Sequence, residues 1–498
     1  MTLKVPLRAF SDARIIQYTI QREGLTIMFE SNRHDYIKNF EEIINKFGGV
    51  YYGTQKYVLR KNVGAPYPDK GAYYGCIADG EDLTGVYSDL SIVIFPSNEE
   101  SDSDDRWIVA LGVGSLGYKN DYDIVSLPGT RRAFLRCLHR NSFIKNSFLD
   151  IETKDGFSSF CDRMNIPGTL RRGIKSYEKV ILACTVVDPN QEGEVKETIA
   201  LYLAIYANIR NWASNNSQKK KISDTIGRAT TSRARNEEEE IRALLAKRKY
   251  VVLQGAPGTG KTRMAKRIVN EGRTIFTQFH AETSYSDFVY GILPDVHSET
   301  LKYSAHEGTL VEAVKSAMAH PEQNVFLVID EINRANLSNV LGPAFYLFEP
   351  TMDESVEIQV CPDLRISKLP DNLYVIATMN TADRSLAVVD FALRRRFAWY
   401  TMYPHTITVE ADQHFCEDEF LAISNIFEKY ATDDELNLQP GHAYFIVPAA
   451  DYETSIKTRM EYEIMPLIKE YLLDGLLPRA KDDFINYFRE QFGLEMYQ

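Results

Sequence analysis

The sequence predicts an α/β fold: a parallel sheet with helices on both faces and a C-terminal helical lid, preceded by a separate α+β domain. Three observations carry this reading. The chain has 498 residues, too many for one hydrophobic core, because domains usually hold about 100–200 residues. From Tyr250 to Tyr403 short apolar segments alternate with helical stretches, the element order that builds parallel sheets. The charge also divides. Residues 1–235 carry a net +4 and the remainder −16, within a total of −12, which is a hint of divided labour and no more.

Composition is that of a globular chain, 44% hydrophobic and 25% charged, which excludes wholesale disorder, collagen and coiled coil. No apolar run reaches the roughly 18 residues of a membrane span. The first twenty residues, MTLKVPLRAFSDARIIQYTI, place charges where a signal peptide needs an apolar stretch. Six cysteines (76, 137, 161, 184, 361 and 416) stand without a CxxC pair. Reduced thiols in a cytoplasmic protein, with no membrane partner and no zinc knuckle, are the expectation.

Residues 1–214 read as a mixed α+β domain, with strands expected at Ser91–Phe95, Trp107–Gly112 and Val180–Val187 and a helix at Glu197–Trp212. A polar linker is expected over 215–240: Asn215 to Gln218, three lysines, a Ser/Thr/Arg-rich stretch, then Glu237 to Glu240. Four acids suit the first turn of a helix, where the dipole favours negative charge. The α/β core then spans 241–404, with strands at Tyr250–Gly255, Thr274–Phe279, Val325–Asp330, Leu373–Met379 and Phe397–Tyr403. Helices fit Thr262–Asn270 and Thr309–Ala319, and Glu354–Lys368 reads as a hairpin around Pro362-Asp363. Residues 405–498 read as the helical lid, with a turn at Pro440-Gly441.

The chemistry concentrates at the expected strand ends. Gly255, Ala256, Pro257, Gly258, Thr259, Gly260, Lys261 and Thr262 fit G-x-x-x-x-G-K-[ST] between a strand and a helix, the context of a phosphate-binding P-loop. Glycines let backbone N–H groups wrap phosphates, Lys261 reaches the β- and γ-phosphates, and Thr262 ligates Mg²⁺. The run Val325–Ile329 ends in Asp330 and Glu331. A buried strand would deliver Asp330 to the metal and Glu331 to a water, although apolar strands ending in acids are common. Asn380 and Asp383 follow the fourth strand, and Arg394, Arg395 and Arg396 precede the fifth. An Asn there can orient water and the arginines can reach a neighbouring subunit's γ-phosphate; a turn and a solvated helix end are the plainer readings.

GAPGTGKT, VIDEINRANLSNV and MNTADRSLAVVDFALRRRF together resemble the McrB-type AAA+ GTPase subunit of modification-dependent (type IV) restriction systems. TQFHAETSYSDFVYGILPD (277–295) and GHAYF (441–445) extend the likeness, which covers roughly residues 240–475. The resemblance implies a hexameric ring with nucleotide sites between subunits, GTP rather than ATP as substrate, and a separate McrC-like nuclease partner. It implies that Asn380 and Asp383 position the water, and that Arg334, Arg394 and Arg395 act across the interface. No N-K-x-D guanine-reading element is present, so the nucleotide choice rests on the resemblance, and ATP stays open. No metal-nuclease constellation accompanies Pro68-Asp69-Lys70 or Pro362-Asp363, so nuclease activity is not expected in this chain.

Weaker signals remain. His280 and His442 read more simply as packed or surface histidines than as catalytic ones. Arg132, Arg136 and Arg140 recur at helical spacing and form either a phosphate-contacting stripe or a solvated face. Tyrosines 51, 52, 57, 67, 73 and 74 can stack on a base, though tyrosines of this kind are more often core or loop residues. Two functions are compatible with these residues. One is an NTP-hydrolysing motor that reads modified double-stranded DNA through residues 1–214 and drives the nuclease. The other is an ATP-dependent assembly platform whose N-terminal half binds a protein.

Overall fold

The computed structural model describes residues 15–21, 24–30, 39–43, 57–62, 73–78, 80–82, 85–95, 106–212, 215–231, 236–294, 302–349, 356–382 and 391–497. They divide into two compact units, 1–234 with 428–430, and 235–427 with 431–498. The division falls inside the stretch expected to be a linker.

In the first unit β1 (Ile15–Gln21) and β2 (Gly24–Glu30) pair as an antiparallel hairpin. Six further strands follow: β3 (Tyr57–Asn62), β4 (Tyr73–Ala78), β5 (Leu90–Phe95), β6 (Trp107–Val113), β7 (Ser142–Ile144) and β8 (Ile181–Val187). They form one antiparallel sheet in the order β3-β4-β5-β6-β8-β7. β5, β6 and β8 are buried at every position, because both faces of the sheet are covered. Ile92, Ile94, Val109 and Leu111 turn to one core, while Val93, Ile108 and Ala110 turn to the other, the period-2 alternation of a strand.

Helix α1 (Pro128–Cys137) opens on proline, whose fixed φ suits the first turn. It ends at Leu138, which is extended at ψ 146°. Arg140 therefore lies beyond the helix, and the expected three-arginine stripe at helical spacing is not formed. Helix α2 (Glu192–Ile209) covers the first core. Its buried tyrosines satisfy their hydroxyls: Tyr206 donates to the Leu90 carbonyl at 2.7 Å, and Tyr202 and Thr185 Oγ1 are 3.0 Å apart. The expected linker is also corrected. Residues Asn216–Thr231 form helix α3, and its Ile222 is buried in the same core.

The second unit begins with α4 (Glu237–Arg248), capped by Asn236, with four glutamates in its first turn and Lys247 and Arg248 in its last. Five strands follow as a parallel sheet: β9 (Tyr250–Gly255), β10 (Arg273–Gln278), β13 (Val325–Asp330), β16 (Leu373–Asn380) and β17 (Ala398–Thr401). Two hairpins interrupt the alternation, β11 (Tyr290–Pro294) with β12 (Tyr303–Glu307), and β14 (Ile358–Cys361) with β15 (Leu364–Ile366). The second of these lies where the sequence places one. The sheet order is β10-β13-β16-β9-β17, so the P-loop strand β9 sits beside β16 although two other strands of the sheet, β10 and β13, lie between them in the chain.

Helices cover both faces, as expected. Leu327 and Ile329 pack with α6 (Thr309–Ala319), while Phe326 and Val328 pack with α4 and α5 (Lys261–Ile268). The lid contributes α8 (Met465–Leu473) and α9 (Lys481–Phe492), after the short α7 (Phe391–Arg396) that leads into β17. It also holds a small antiparallel pair, β18 (Gln413–Phe415) with β19 (Ile446–Pro448). Among the described residues no helix is long and apolar enough to cross a membrane.

Leu327, fully buried in β13, tests this packing. Leu327→Ala lowers the unfolding free energy by about 2–5 kcal/mol, whereas Ile292→Ala, at a side chain 64% exposed, shifts it by less than about 0.5 kcal/mol. Denaturant titration of the two variants checks the contrast, and equal effects would contradict the two-faced core.

Candidate active site

Parallel pairing brings the C-terminal ends of all five strands to one edge of the sheet. There β9 runs into the P-loop and the loop runs into α5. Gly258 and Gly260 take left-handed φ values of 77° and 78°, which glycine adopts without a side-chain clash. These turns wrap the loop so that Lys261 Nζ donates to the carbonyls of Gly255 and Ala256, at 2.9 and 2.8 Å. Thr259 Oγ1 donates to Ala256 O at 2.9 Å. The ammonium thus lies beneath a concave run of peptide groups at a helix N-terminus, the arrangement that accepts polyphosphate.

Asp330 ends β13 and is 8% exposed. Its Oδ1 accepts from Thr262 Oγ1 at 2.8 Å and from Thr378 Oγ1 at 2.6 Å. A carboxylate and a hydroxyl held side by side at the loop's helix are hard oxygen donors that fit Mg²⁺; Thr262 and Asp330 would hold it. Thr378 does more than fill β16, since its Oγ1 also accepts from the Glu331 backbone N–H at 3.1 Å. Glu331 takes φ 55°, an uncommon left-handed conformation for a side-chain-bearing residue, and so turns sharply out of the strand end.

Asn380 ends β16, level with Gly255 of β9. Its carbonyl accepts from Asn333 Nδ2 at 3.1 Å, and its own Oδ1 accepts from Ala382 N at 3.1 Å. Thr381 N donates to Gly255 O at 3.1 Å, which ties this strand end to the loop. Asp383 lies outside the described residues, as do tyrosines 51, 52 and 67. Arg334 Nε lies 3.4 Å from Oε2 of its own chain's Glu331. Arg394 sits over the Trp399 ring and Arg395 pairs with Glu349. The structure therefore gathers the P-loop, Asp330, Glu331 and Asn380, and holds Arg394 and Arg395 at a different location.

The lid closes on the loop from the far end of the chain. Gly441 N donates to Pro257 O at 2.9 Å and Ala443 N to Gly258 O at 3.0 Å. A Cβ at Gly441 would stand 2.1 Å from the Gly258 carbonyl carbon, so only glycine allows this approach. Four participants were not singled out from the sequence as site residues: Thr378, Asn333, Gly441 and Tyr444, whose ring abuts Gly258. Thr378 has no motif to mark it, whereas Asn333 stands in the VIDEINRANLSNV stretch and Gly441 and Tyr444 stand in GHAYF.

His442 is a packed residue here, 8% exposed, with its ring 5.0 Å from that of His405. Its Nδ1 has no hydrogen-bond partner among the described residues. Burial, aided by the charges of His405 and Arg263, pushes its pKa down from the usual 6.5 to about 4. Between those values the unfolded chain binds a proton that the folded chain refuses, so stability falls as pH drops below about 6.5 and is retained above it. Acidification from pH 7 to 5 should cost about 2 kcal/mol at this group. His442→Gln should remove that part of the pH dependence. Melting temperatures of both proteins at the two pH values decide it; identical losses would contradict the assignment.

Comparison with known proteins agrees with this geometry. Residues 250–397 match the family described as an AAA domain of the dynein-related subfamily. The chain is 34% identical over 273 residues to the type IV methyl-directed restriction enzyme EcoKMcrB subunit of Escherichia coli strain K12, covering 49% of this chain and 58% of that protein. It is 26% identical over 189 residues to the type II restriction enzyme BsuMI component YdiS of Bacillus subtilis strain 168, covering 30% of this chain and 55% of that one. The chain thus spans rather more than half the length of either relative. The likeness seen in the motifs is met: residues 250–397 match an AAA domain, and about half of the chain is similar to the McrB subunit.

Proposed function

We propose that the chain is the nucleotide-hydrolysing motor of a modification-dependent restriction complex. The observation that carries this is the convergence on Asp330. One carboxylate oxygen gathers the P-loop threonine and the Thr378 hydroxyl, with Glu331 and Asn380 on the two adjoining strand ends. Such a site cleaves the β–γ phosphoanhydride of a nucleoside triphosphate. Lys261 balances charge on the β- and γ-phosphates, and Thr262 and Asp330 hold the Mg²⁺ that supplies further neutralisation. Asn380 orients a water against the γ-phosphorus and Glu331 takes its proton. Asp383 joins them in the reading drawn from the family.

The reading extends to a ring of copies, hexameric, in which Arg334, Arg394 and Arg395 meet an adjacent copy's nucleotide. The exposure of Arg395, with 69% of its side chain in solvent, supports this reading. GTP is the substrate in preference to ATP, and residues 1–214 recognise modified double-stranded DNA while a McrC-like nuclease subunit does the cutting. Support comes from the relatives, one of which bears the name of a methyl-directed restriction enzyme subunit. It also comes from the first unit having a sheet and cores of its own.

Glu331→Gln and Asn380→Ala should keep nucleotide affinity while turnover falls on the order of 100-fold, since they address water and not phosphate. Product release from equimolar GTP and ATP, followed with the unmutated chain alongside, reads both points. Loss of binding in both variants would make these residues structural, and faster ATP turnover would reverse the nucleotide choice. Titrating the full chain with modified and unmodified duplexes at low salt tests the DNA arm; equal binding, or none, favours a protein partner.

A further inference from the structure

The three arginines that close α7 are held in three different ways. Arg394 places its guanidinium 5.1 Å from the centre of the Trp399 ring. Arg396, with a side chain 10% exposed, lies 3.9 Å over the Phe345 ring and pairs with Glu349. Arg395 donates to the same oxygen, Glu349 Oε1, at 2.5 Å, yet 69% of its side chain is in solvent. Glu349 is itself 13% exposed and follows directly on the turn Gly342–Phe348 that carries Phe345.

One carboxylate therefore serves two cations of unequal burial. Glu349 and Arg396 cancel one another, and both are shielded from water, so either would be left as an uncompensated buried charge without its partner. Arg395 is the surplus cation. It can leave the carboxylate without stranding anything buried, and an exposed pair of this kind is weak, so a polyphosphate competes with it successfully. The carboxylate still fixes where the guanidinium points before that happens.

We propose that Glu349 is a positioning residue for phosphate cleavage: anchored by Arg396, it holds Arg395 extended toward the terminal phosphate of a nucleotide bound to an adjacent copy. The proposal rests on the reading of Arg395 as an arginine supplied across an interface. A 1 Å misplacement of a positioning group costs on the order of 100-fold in rate, so loss of this hold should appear in turnover and not in nucleotide binding.

The test uses the full chain and the nucleotide that it hydrolyses, in mixtures whose co-assembly is verified by tag pull-down. Glu349→Gln alone should lower kcat on the order of 10–100-fold with nucleotide affinity kept within about twofold. Mixed with Lys261→Ala, which retains its arginine but lacks a working pocket, it should regain turnover; mixed with Arg395→Ala it should not. Glu349→Asp preserves the charge that Arg396 needs but shortens the reach by one methylene, and should fall between. If Glu349→Gln does not fold, Glu349→Asp is carried through the same mixtures. Wild-type turnover in the Glu349 variant overturns the proposal, as does failure to complement Lys261→Ala where Arg395→Ala succeeds. If Arg395→Ala also fails to complement, the interface reading falls and the proposal falls with it.

Discussion

The structure of the second unit depends on one carboxylate oxygen. Asp330 Oδ1 draws in the hydroxyl of Thr262 from the start of α5 and that of Thr378 from the neighbouring β16. Because Thr378 also receives the Glu331 N–H, the same small network fixes where the chain leaves β13. Three separate stretches of sequence are locked within hydrogen-bond distance, in a site where Asp330 is almost fully buried. Such a buried acid is tolerable only because it is hydrogen-bonded, and the bonds orient the groups that a metal–nucleotide complex would meet.

Around that point the rest of the unit acts as a frame. The parallel register sets Gly255 level with Asn380 and Gln278 level with Asp330, so side chains far apart in the chain share one edge. Hydrophobic packing on both faces holds the strands in place, and the lid adds two backbone hydrogen bonds to the loop from Gly441 and Ala443. These contacts make the loop's shape a consequence of the whole unit and not of its glycines alone. Arg394 and Arg395 make their contacts elsewhere, with Trp399 and Glu349, whereas Arg334 lies beside Glu331.

Much of this was legible in the sequence because buried parallel strands are continuous apolar runs: Tyr250–Gly255 and Val325–Asp330 end where the pattern ends. Asp330 and Glu331 were legible for the same reason, as acids that stop such a run. Thr378 was not, since a threonine inside Ile376-Ala377-Thr378-Met379 looks like ordinary strand filling. Helix α3 was hidden because its apolar anchors, Ile222, Ile226 and Ala229, are few among polar residues, which reads as linker. The spacing of Arg132, Arg136 and Arg140 continues a helical period through Leu138, whereas the backbone there turns extended; periodicity shows a helix face but does not show where the helix stops.

The central claim is that these strand ends form a nucleoside-triphosphate site organised around the P-loop. Titrating a fluorescent nucleoside triphosphate, with Mg²⁺, against the full chain and its Lys261→Ala variant tests it most directly. The account predicts saturable binding to the first and its loss in the second, because removing the ammonium leaves the β- and γ-phosphate charge unbalanced. Equal affinity in both proteins would contradict it.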